Sequence, residues 1–156
     1  MKRVLKIIVI VIGIAFIAIQ FIPVDKTNPP IDPAHTIEAT MNVPAEVQQI
    51  MARSCNDCHS NKTVYPWYSN IAPVSWWMLN HIEEARHELN FSEWGTYSNK
   101  KKSRKLEEIC SEVRSHAMPL PSYLWIHRDS VLSESDINTL CNWTETEKKA
   151  IVVSEQ

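Results

Sequence analysis

The longest apolar run of the chain lies near its N-terminus, between residues 7 and 22, and only Gly13 and Gln20 interrupt it. The cationic residues ahead of this run are Lys2, Arg3 and Lys6. As a helix, the run would cover about 24 Å, which approaches the thickness of a bilayer core. We therefore predict an uncleaved transmembrane helix within residues 1–22, with a cleaved signal peptide or a buried core helix as the alternatives. The cations favour a cytoplasmic N-terminus, so the predicted localisation is the inner membrane, single-pass, with the rest of the chain in the periplasm.

Beyond residue 40, apolar side chains recur every three or four positions, which is the period of a helix that buries one face. The whole chain has only two glycines, and the part beyond residue 40 has no β-branched runs, so a sheet is disfavoured. The pattern predicts four helices, at about residues 42–55, 73–89, 100–116 and from Ser133 onward. We therefore expect an all-α, small four-helix domain over residues 41–152.

Between these two parts, residues 23–40 are polar and contain Pro23, Pro29, Pro30 and Pro33. Proline fixes φ and lacks an N–H donor, so this stretch favours neither helix nor sheet. We interpret it as an extended proline-rich linker. The alternative is a strap that packs onto the domain.

The most specific motif is Cys55-Asn56-Asp57-Cys58-His59, which has the form C-x-x-C-H. Two thiols at this spacing on a helical turn can add to the two vinyl groups of one haem, and the following histidine then lies under the iron. The motif predicts one covalently attached haem c per chain, with Cys55 and Cys58 as the attachment sites and His59 as the proximal iron ligand. A dithiol redox site, a structural zinc site and ordinary disulfides are the competing interpretations.

The sixth iron ligand is less closely specified by the sequence. Met118 is our first choice, because it lies in a Met-Pro-Leu-Pro loop and its thioether is a soft, neutral iron ligand. Ordinary core filling is what most methionines do. His116 and His81 are the alternative ligands, and an open sixth position would instead favour a haem-based sensor or small-ligand-binding module.

Several blocks together resemble the haem-binding domain family of c-type cytochrome proteins in bacterial envelopes, and more distantly the class I cytochromes c. They are Cys55–His59, the block Tyr65-Pro66-Trp67-Tyr68-Ser69-Asn70-Ile71-Ala72-Pro73-Val74-Ser75-Trp76-Trp77, Asn90–Trp94 and Met118–Tyr123. The resemblance covers about residues 40–145 and implies haem binding, with electron transfer following only by analogy. The aromatic-rich insert from Tyr65 to Trp94 departs from short cytochromes c.

Aromatic residues crowd the segment after the motif, where Trp67, Tyr68 and Trp77 could wall a haem pocket. Core packing would explain them equally well. Cys110 and Cys141 fall on the buried stripes of the third and fourth predicted helices, so a disulfide between them is expected outside the cytoplasm, and free thiols are the alternative.

Charge limits the possible partners. Without the three N-terminal cations, 13 basic residues face 18 acidic ones, and this balance does not favour nucleic acid. A basic run, Lys100–Lys105, is either a solvated helix start or a docking patch. We predict a mono-haem, electron-transferring protein, not an enzyme, with envelope redox proteins as partners.

Overall fold

The structure is a computed structural model that describes residues 1–153. This part of the chain contains eight α-helices, four short 3₁₀ turns and no strand. The helices are α1 (Lys2–Ile19), α2 (Ile37–Thr40), α3 (Ala45–Ser54), α4 (Asn56–His59), α5 (Val74–Glu88), α6 (Asn99–Arg114), α7 (Pro121–Leu124) and α8 (Glu134–Val153). The 3₁₀ turns are Pro33–His35, Trp67–Asn70, Phe91–Thr96 and Arg128–Ser130. The all-α prediction is confirmed.

The four predicted helices of the domain correspond to α3, α5, α6 and α8. The start of α8 shows the expected capping, because the Ser133 hydroxyl accepts from the Asp136 N–H at 3.1 Å and the Asp136 carboxylate accepts from the Ser133 N–H at 2.8 Å. The count of four is wrong, since three further helices, α2, α4 and α7, lie beside them after residue 22. Each of these has a single turn, which is too short to show a helical period in the sequence.

The core lies where α6 and α8 pack along each other and α3 contacts α8. Leu106 of α6 and Leu140 of α8 are fully buried there, together with Val47 and Ile50 of α3. The fold therefore supports the C-terminal end of α3, where the motif begins, on the pair of long helices.

The N-terminal helix α1 buries none of its side chains. It begins at Lys2 and ends at Ile19, so the helix itself contains the three cations that precede the apolar run. Within residues 1–153, no helix combines the length and the apolar character that crossing a membrane requires. The structure thus does not support the transmembrane helix that we predicted for residues 1–22.

Residues 28–40, which we call the strap, pack against the domain. The Asn28 side chain donates to the Thr63 carbonyl at 3.0 Å, and the Asn61 side chain donates to the Pro30 carbonyl at 3.3 Å. Ile37 of α2 is completely buried in the core cluster. This part of the chain therefore follows the strap alternative, although the division into domains itself stays a prediction.

Candidate functional site

The motif forms one tight turn between α3 and α4. The Cys55 N–H donates to the Met51 carbonyl at the end of α3, and the His59 N–H donates to the Cys55 carbonyl at 2.9 Å. Cys55 and Cys58 are both free thiols. Because the turn is helical, the two cysteines and the histidine that follows them come to the same side of the chain.

These three residues line a cavity of about 370 Å³, which we call the inner cleft. Its other walls come from α5, from the end of α6 and from the segment between α6 and α8, which contribute His81, Ala85, Val113, Met118, Leu120 and Tyr123. A second cavity of about 550 Å³, the aromatic cleft, adjoins the first. The two share Asp57, Cys58, His81, Leu120 and Tyr123 as lining residues, so Cys58 lies on the boundary between them.

The imidazole of His59 is held by the C-terminal end of α5. Its Nδ1 lies 3.2 Å from the Ala85 carbonyl oxygen and 3.1 Å from that of Leu89. A neutral imidazole that donates through Nδ1 leaves the Nε2 lone pair free for a metal, and such backbone contacts commonly orient ligating histidines. Burial lowers the pKa of His59, and this outweighs the opposing effect of the two carbonyls. The ring is therefore kept in the neutral form that can bind iron.

The two thiols are kept protonated by their surroundings. Burial is the main cause in both, raising the pKa of Cys55 to about 12 and that of Cys58 to about 11. A thiolate at Cys58 would raise the pKa of Cys55 further, and the negative charge of Asp57 adds to the effect on Cys58. Such thiols are weak nucleophiles in the folded chain, which does not favour a dithiol redox site of the low-pKa kind.

The structure brings Met118 to the inner cleft and leaves His116 outside its lining. The Met118 N–H donates to the Glu112 carbonyl at 3.2 Å, which ties the loop to the last turn of α6. His116 is exposed and lies two residues beyond the end of that helix, with a φ of 57°. His81 also lines the cleft, and its Nδ1 contacts the Trp77 carbonyl at 2.8 Å, which leaves its Nε2 available. Met118 and His81 are thus the two candidates that the fold places at the cleft.

The three aromatic residues proposed for a haem pocket, Trp67, Tyr68 and Trp77, all line the aromatic cleft and none lines the inner cleft. Trp67 is 72% exposed, whereas the Trp77 ring lies 4.3 Å from the ring of His81, measured between centroids. They are placed beside Cys58 and His81, with much of their surface facing outward.

A pair of tyrosine contacts near the motif was not anticipated from the sequence. The Tyr123 hydroxyl donates to the Asp57 carboxylate at 2.9 Å, and Tyr68 shares a hydrogen bond of 2.7 Å with Nε2 of His127. The rings of Tyr123 and His127 are stacked, with centroids 4.1 Å apart. Burial and then the Asp57 charge raise the pKa of Tyr123, so its hydroxyl remains a donor. These contacts join α7 and the residues after it to the motif.

Arg86 of α5 is a second residue that the sequence did not single out. Its guanidinium donates to the Ser60 carbonyl at 2.9 Å and to the side-chain oxygens of Thr63 and Asn28, both at 2.7 Å. It therefore joins the loop after the motif, the strap and α5. The sequence around Arg86 gives no signal for this role, because each partner of Arg86 lies at least 23 residues away along the chain.

The remaining cysteines form the expected disulfide, with an S–S distance of 2.03 Å between Cys110 of α6 and Cys141 of α8. They are consequently not available as zinc ligands. Among residues 1–153, no three side chains of histidine, cysteine, aspartate or glutamate are grouped to hold a metal ion. The structural zinc interpretation therefore lacks its ligands.

A haem fits the chemistry of this arrangement. The cleft presents two free thiols, an imidazole with its Nδ1 occupied and a thioether or second imidazole, and its lining surface is mainly apolar. Such a donor set suits iron held by nitrogen and sulfur, and the apolar walls suit a porphyrin ring.

Comparison with known proteins agrees with this fit. The family model described as "Haem-binding domain" matches residues 14–146. No curated protein and no solved structure matches the chain significantly. Since the matched range includes the motif, both clefts and the packed pair α6 and α8, the chain belongs to the haem-binding domain family.

Proposed function

We propose that this chain is a mono-haem c-type cytochrome that binds its haem covalently through Cys55 and Cys58 and transfers single electrons. One observation carries the proposal: both thiols and an oriented imidazole line a single apolar cleft. A bound haem would supply an iron that alternates between the ferric and ferrous states. The chain's own residues attach, orient and cover that group.

Attachment needs no oxidant or reductant. Each thiol adds across one vinyl group, so that a sulfur–carbon bond forms on one vinyl carbon and the thiol hydrogen goes to the other. The high pKa of the thiols, about 12 for Cys55 and about 11 for Cys58, makes spontaneous addition in the folded protein slow. We therefore expect the haem to be attached before the cleft closes, or with the help of a dedicated attachment system.

His59 acts as the proximal ligand in this proposal, and Met118 as the distal ligand. The carbonyls of Ala85 and Leu89 fix the orientation of the His59 ring, and the hydrogen bond to Glu112 fixes the loop that carries Met118. Ligands held by the fold change little between the two iron oxidation states, which keeps the reorganisation on electron transfer small. No side chain is assigned bond-making chemistry on a substrate, so we propose an electron carrier, not an enzyme.

We also propose that the protein lies in the bacterial envelope, held at the inner membrane by its single N-terminal segment, with the cleft in the periplasm. The support is the apolar run of residues 7–22 and the absence of any buried side chain in α1. Envelope redox proteins would be its partners. Protease added to spheroplasts is expected to release a haem-bearing fragment, and a haem domain that resists protease until the cells are lysed would contradict this topology.

Denaturation followed by acid-acetone extraction tests the covalent haem. A thioether-bound haem stays with the polypeptide, whereas a haem held only through iron is extracted. We expect the chromophore to remain with the chain, and Cys55→Ala or Cys58→Ala to lower the yield of holoprotein sharply. Val131→Ala, at an exposed position, serves as the control with normal yield. Complete extraction of haem from the wild type would contradict attachment.

A further inference from the structure

An exposed apolar surface surrounds the opening of the aromatic cleft. We call it the aromatic face, and its members are Trp67, Ile71, Val74, Trp77, Trp125 and Ile126. All six line the same cavity and are also exposed, with Trp67 at 72% and Trp125 at 73%. Single exposed apolar residues are ordinary, but a contiguous group with three tryptophans marks a contact surface.

The aromatic face is continuous with α1. The Gln20 side chain, directly after α1, donates to the Ala72 carbonyl and accepts from the Ala72 N–H, both at 3.0 Å. Ala72 follows Ile71 of the aromatic face. The end of α1 is therefore fixed at the edge of this face, and every apolar residue of α1 before Ile19 is exposed.

Charges are distributed in a way that suits lipid. The cations of α1, namely Lys2, Arg3 and Lys6, lie at the end of the helix remote from Gln20. Asp57 is the one charged residue among those that line the aromatic cleft, and its carboxylate accepts hydrogen bonds from Tyr123 and from the Val64 N–H. Lys26 donates to the side chain of Asn70 nearby. An apolar surface without exposed acids can approach a phospholipid surface at little electrostatic cost.

We propose that the aromatic face lies against the headgroup region of the membrane that α1 contacts, with the indoles of Trp67 and Trp125 in the interfacial layer. The inference rests on the proposed membrane localisation. Tryptophan concentrates at this depth because its ring is apolar and its N–H is a donor. A lipid surface covers α1 and the aromatic face at once, whereas a protein partner on the face alone would leave α1 exposed.

Lipid-phase photolabelling of the full-length, haem-loaded protein tests this orientation. The protein is placed in vesicles of zwitterionic phosphatidylcholine that contain a diazirine-bearing acyl chain, and labelled peptides are identified by mass spectrometry. We expect label on α1 and on the peptides that contain Trp67 and Trp125. The peptide with Trp143, a side chain of α8 that is buried in the core, serves as the internal control and stays unlabelled.

A double variant, Trp125→Ser with Ile126→Ser, removes two exposed side chains of the face. We expect loss of label from the peptide with Trp67 and Ile71, while α1 keeps its label and the visible spectrum is unchanged. Val131→Ser, which removes an exposed apolar side chain outside the face, should leave the labelling as in the wild type. Raised salt should also leave it unchanged, because apolar contacts are not screened.

The possible failures are distinguishable. Label on α1 with none on the face overturns the inference and leaves the proposed localisation standing. Absence of label from α1 and from the aromatic face overturns both the inference and the proposed localisation. Crosslinks between copies through Trp67 and Trp125, without lipid label there, would assign the face to a dimer. Loss of the label from the aromatic face at high salt would assign membrane attachment to the basic run of α6. Both this result and the crosslinks between copies would overturn the inference.

Discussion

At the scale of single residues, the site depends on side chains that are held in place by the backbone of distant elements. His59 is oriented by two carbonyls of α5, and Met118 is held by a carbonyl of α6. Both potential iron ligands are thus fixed by main-chain groups that side-chain substitution leaves intact. Since Met118 is held through its main-chain N–H, substitution of its side chain should alter coordination with little effect on the fold.

Met118→Ala tests the sixth ligand. Loss of the thioether removes a ligand that favours ferrous iron, so the reduction potential should fall and CO should bind readily to the ferrous protein. The weak charge-transfer band that sulfur ligation gives near the red end of the ferric spectrum should disappear. His116→Ala is the matched control, because His116 lies outside the cleft lining. A band that persists in Met118→Ala but vanishes in His81→Ala would transfer the ligand role to His81, and CO binding by the wild type would favour a sensor.

Tyr123→Phe tests the contact between α7 and the motif. The substitution removes the hydroxyl that donates to the Asp57 carboxylate, and the expected loss is about 1 to 2 kcal/mol in the free energy of unfolding. Chemical denaturation with urea measures it. Tyr65→Phe provides a tyrosine for comparison, since no hydrogen bond from its hydroxyl occurs among the described residues, and it should cost less. Equal costs in the two variants would argue against the Asp57 contact.

The motif was recognisable from the sequence because its chemistry is local, within Cys55 to His59. Met118 could be proposed because prolines bracket its loop. The contacts of Tyr123 with Asp57 and of Tyr68 with His127 join residues 66 and 59 positions apart, and no local pattern encodes such pairs. The same distance in sequence hid the role of Arg86.

At the scale of elements, the amphipathic helices were predictable because each buries a stripe against the core. Their periodic apolar residues gave α3, α5, α6 and α8 nearly at their observed bounds. The packing of the strap was not predictable, because residues 28–40 are held by side-chain amides and by Ile37, and their apolar residues show no helical or strand period. A polar, proline-containing stretch has the same composition whether it is extended in solvent or packed on a domain.

Gly95→Ala tests how closely the strap packs. A Cβ at this position would lie 2.9 Å from the His35 Cα, a backbone atom that can move only with the strap. We expect destabilisation of about 1 to 3 kcal/mol and faster proteolysis within residues 28–40. Gly13→Ala in α1 is the control, because nothing lies within 4 Å of its Cβ position. Unchanged stability in Gly95→Ala would show that the strap is not closely packed there.

The pairing of Lys105 with Glu88 and Glu108 connects α6 to the end of α5. Burial alone would lower the pKa of Lys105, but the hydrogen bonds that its ammonium donates to the two carboxylates outweigh this effect and raise the pKa. The Lys105 side chain is 6% exposed, whereas the side chain of Glu88 is 71% exposed and that of Glu108 is 44% exposed. Loss of the glutamates therefore leaves a buried charge without a counterion, and loss of the lysine does not.

We expect the double variant Glu88→Gln and Glu108→Gln to lower the free energy of unfolding, and Lys105→Met to lower it less. The Lys105 pKa is raised, so its contribution is present below 10.5 and is lost above it. The Glu88 pKa is lowered, mainly by Lys105, so its contribution is present above 4.5 and is lost in acid. The difference in the free energy of unfolding between the wild type and the double variant, measured with urea, should therefore become smaller below pH 4.5 and above pH 10.5. A larger cost for Lys105→Met would contradict this account.

At the scale of the whole molecule, the pair α6 and α8 is held by a disulfide that closes a loop of 31 residues. This loop contains Met118 and Tyr123, so the crosslink restrains the segment that forms one wall of the inner cleft. The sequence predicted the pairing from two cysteines on buried stripes. What it could not give is that the restrained loop and the motif face each other.

Replacing Cys110 and Cys141 together by serine should lower the free energy of unfolding by about 2 to 4 kcal/mol. Thermal unfolding followed by circular dichroism measures this loss. Covalent haem should be retained, because Cys55 and Cys58 are untouched. Addition of reductant should destabilise the wild type and leave the double variant unaffected. Equal sensitivity of the two proteins to reductant would place the redox-active bond elsewhere.

The strap has a practical consequence for dividing the protein into fragments. A recombinant piece starting at residue 41 would lack Ile37, the Asn28 side chain that accepts from Arg86 and the Pro30 carbonyl that accepts from Asn61. It would also uncover Trp94, which is completely buried in the intact chain. Such a piece should aggregate. At the other end, the Trp143 indole donates to the Asn42 carbonyl across 101 residues, so a piece that stops before residue 143 would open the same side of the domain. The smallest autonomous unit therefore begins before Asn28 and extends beyond Trp143.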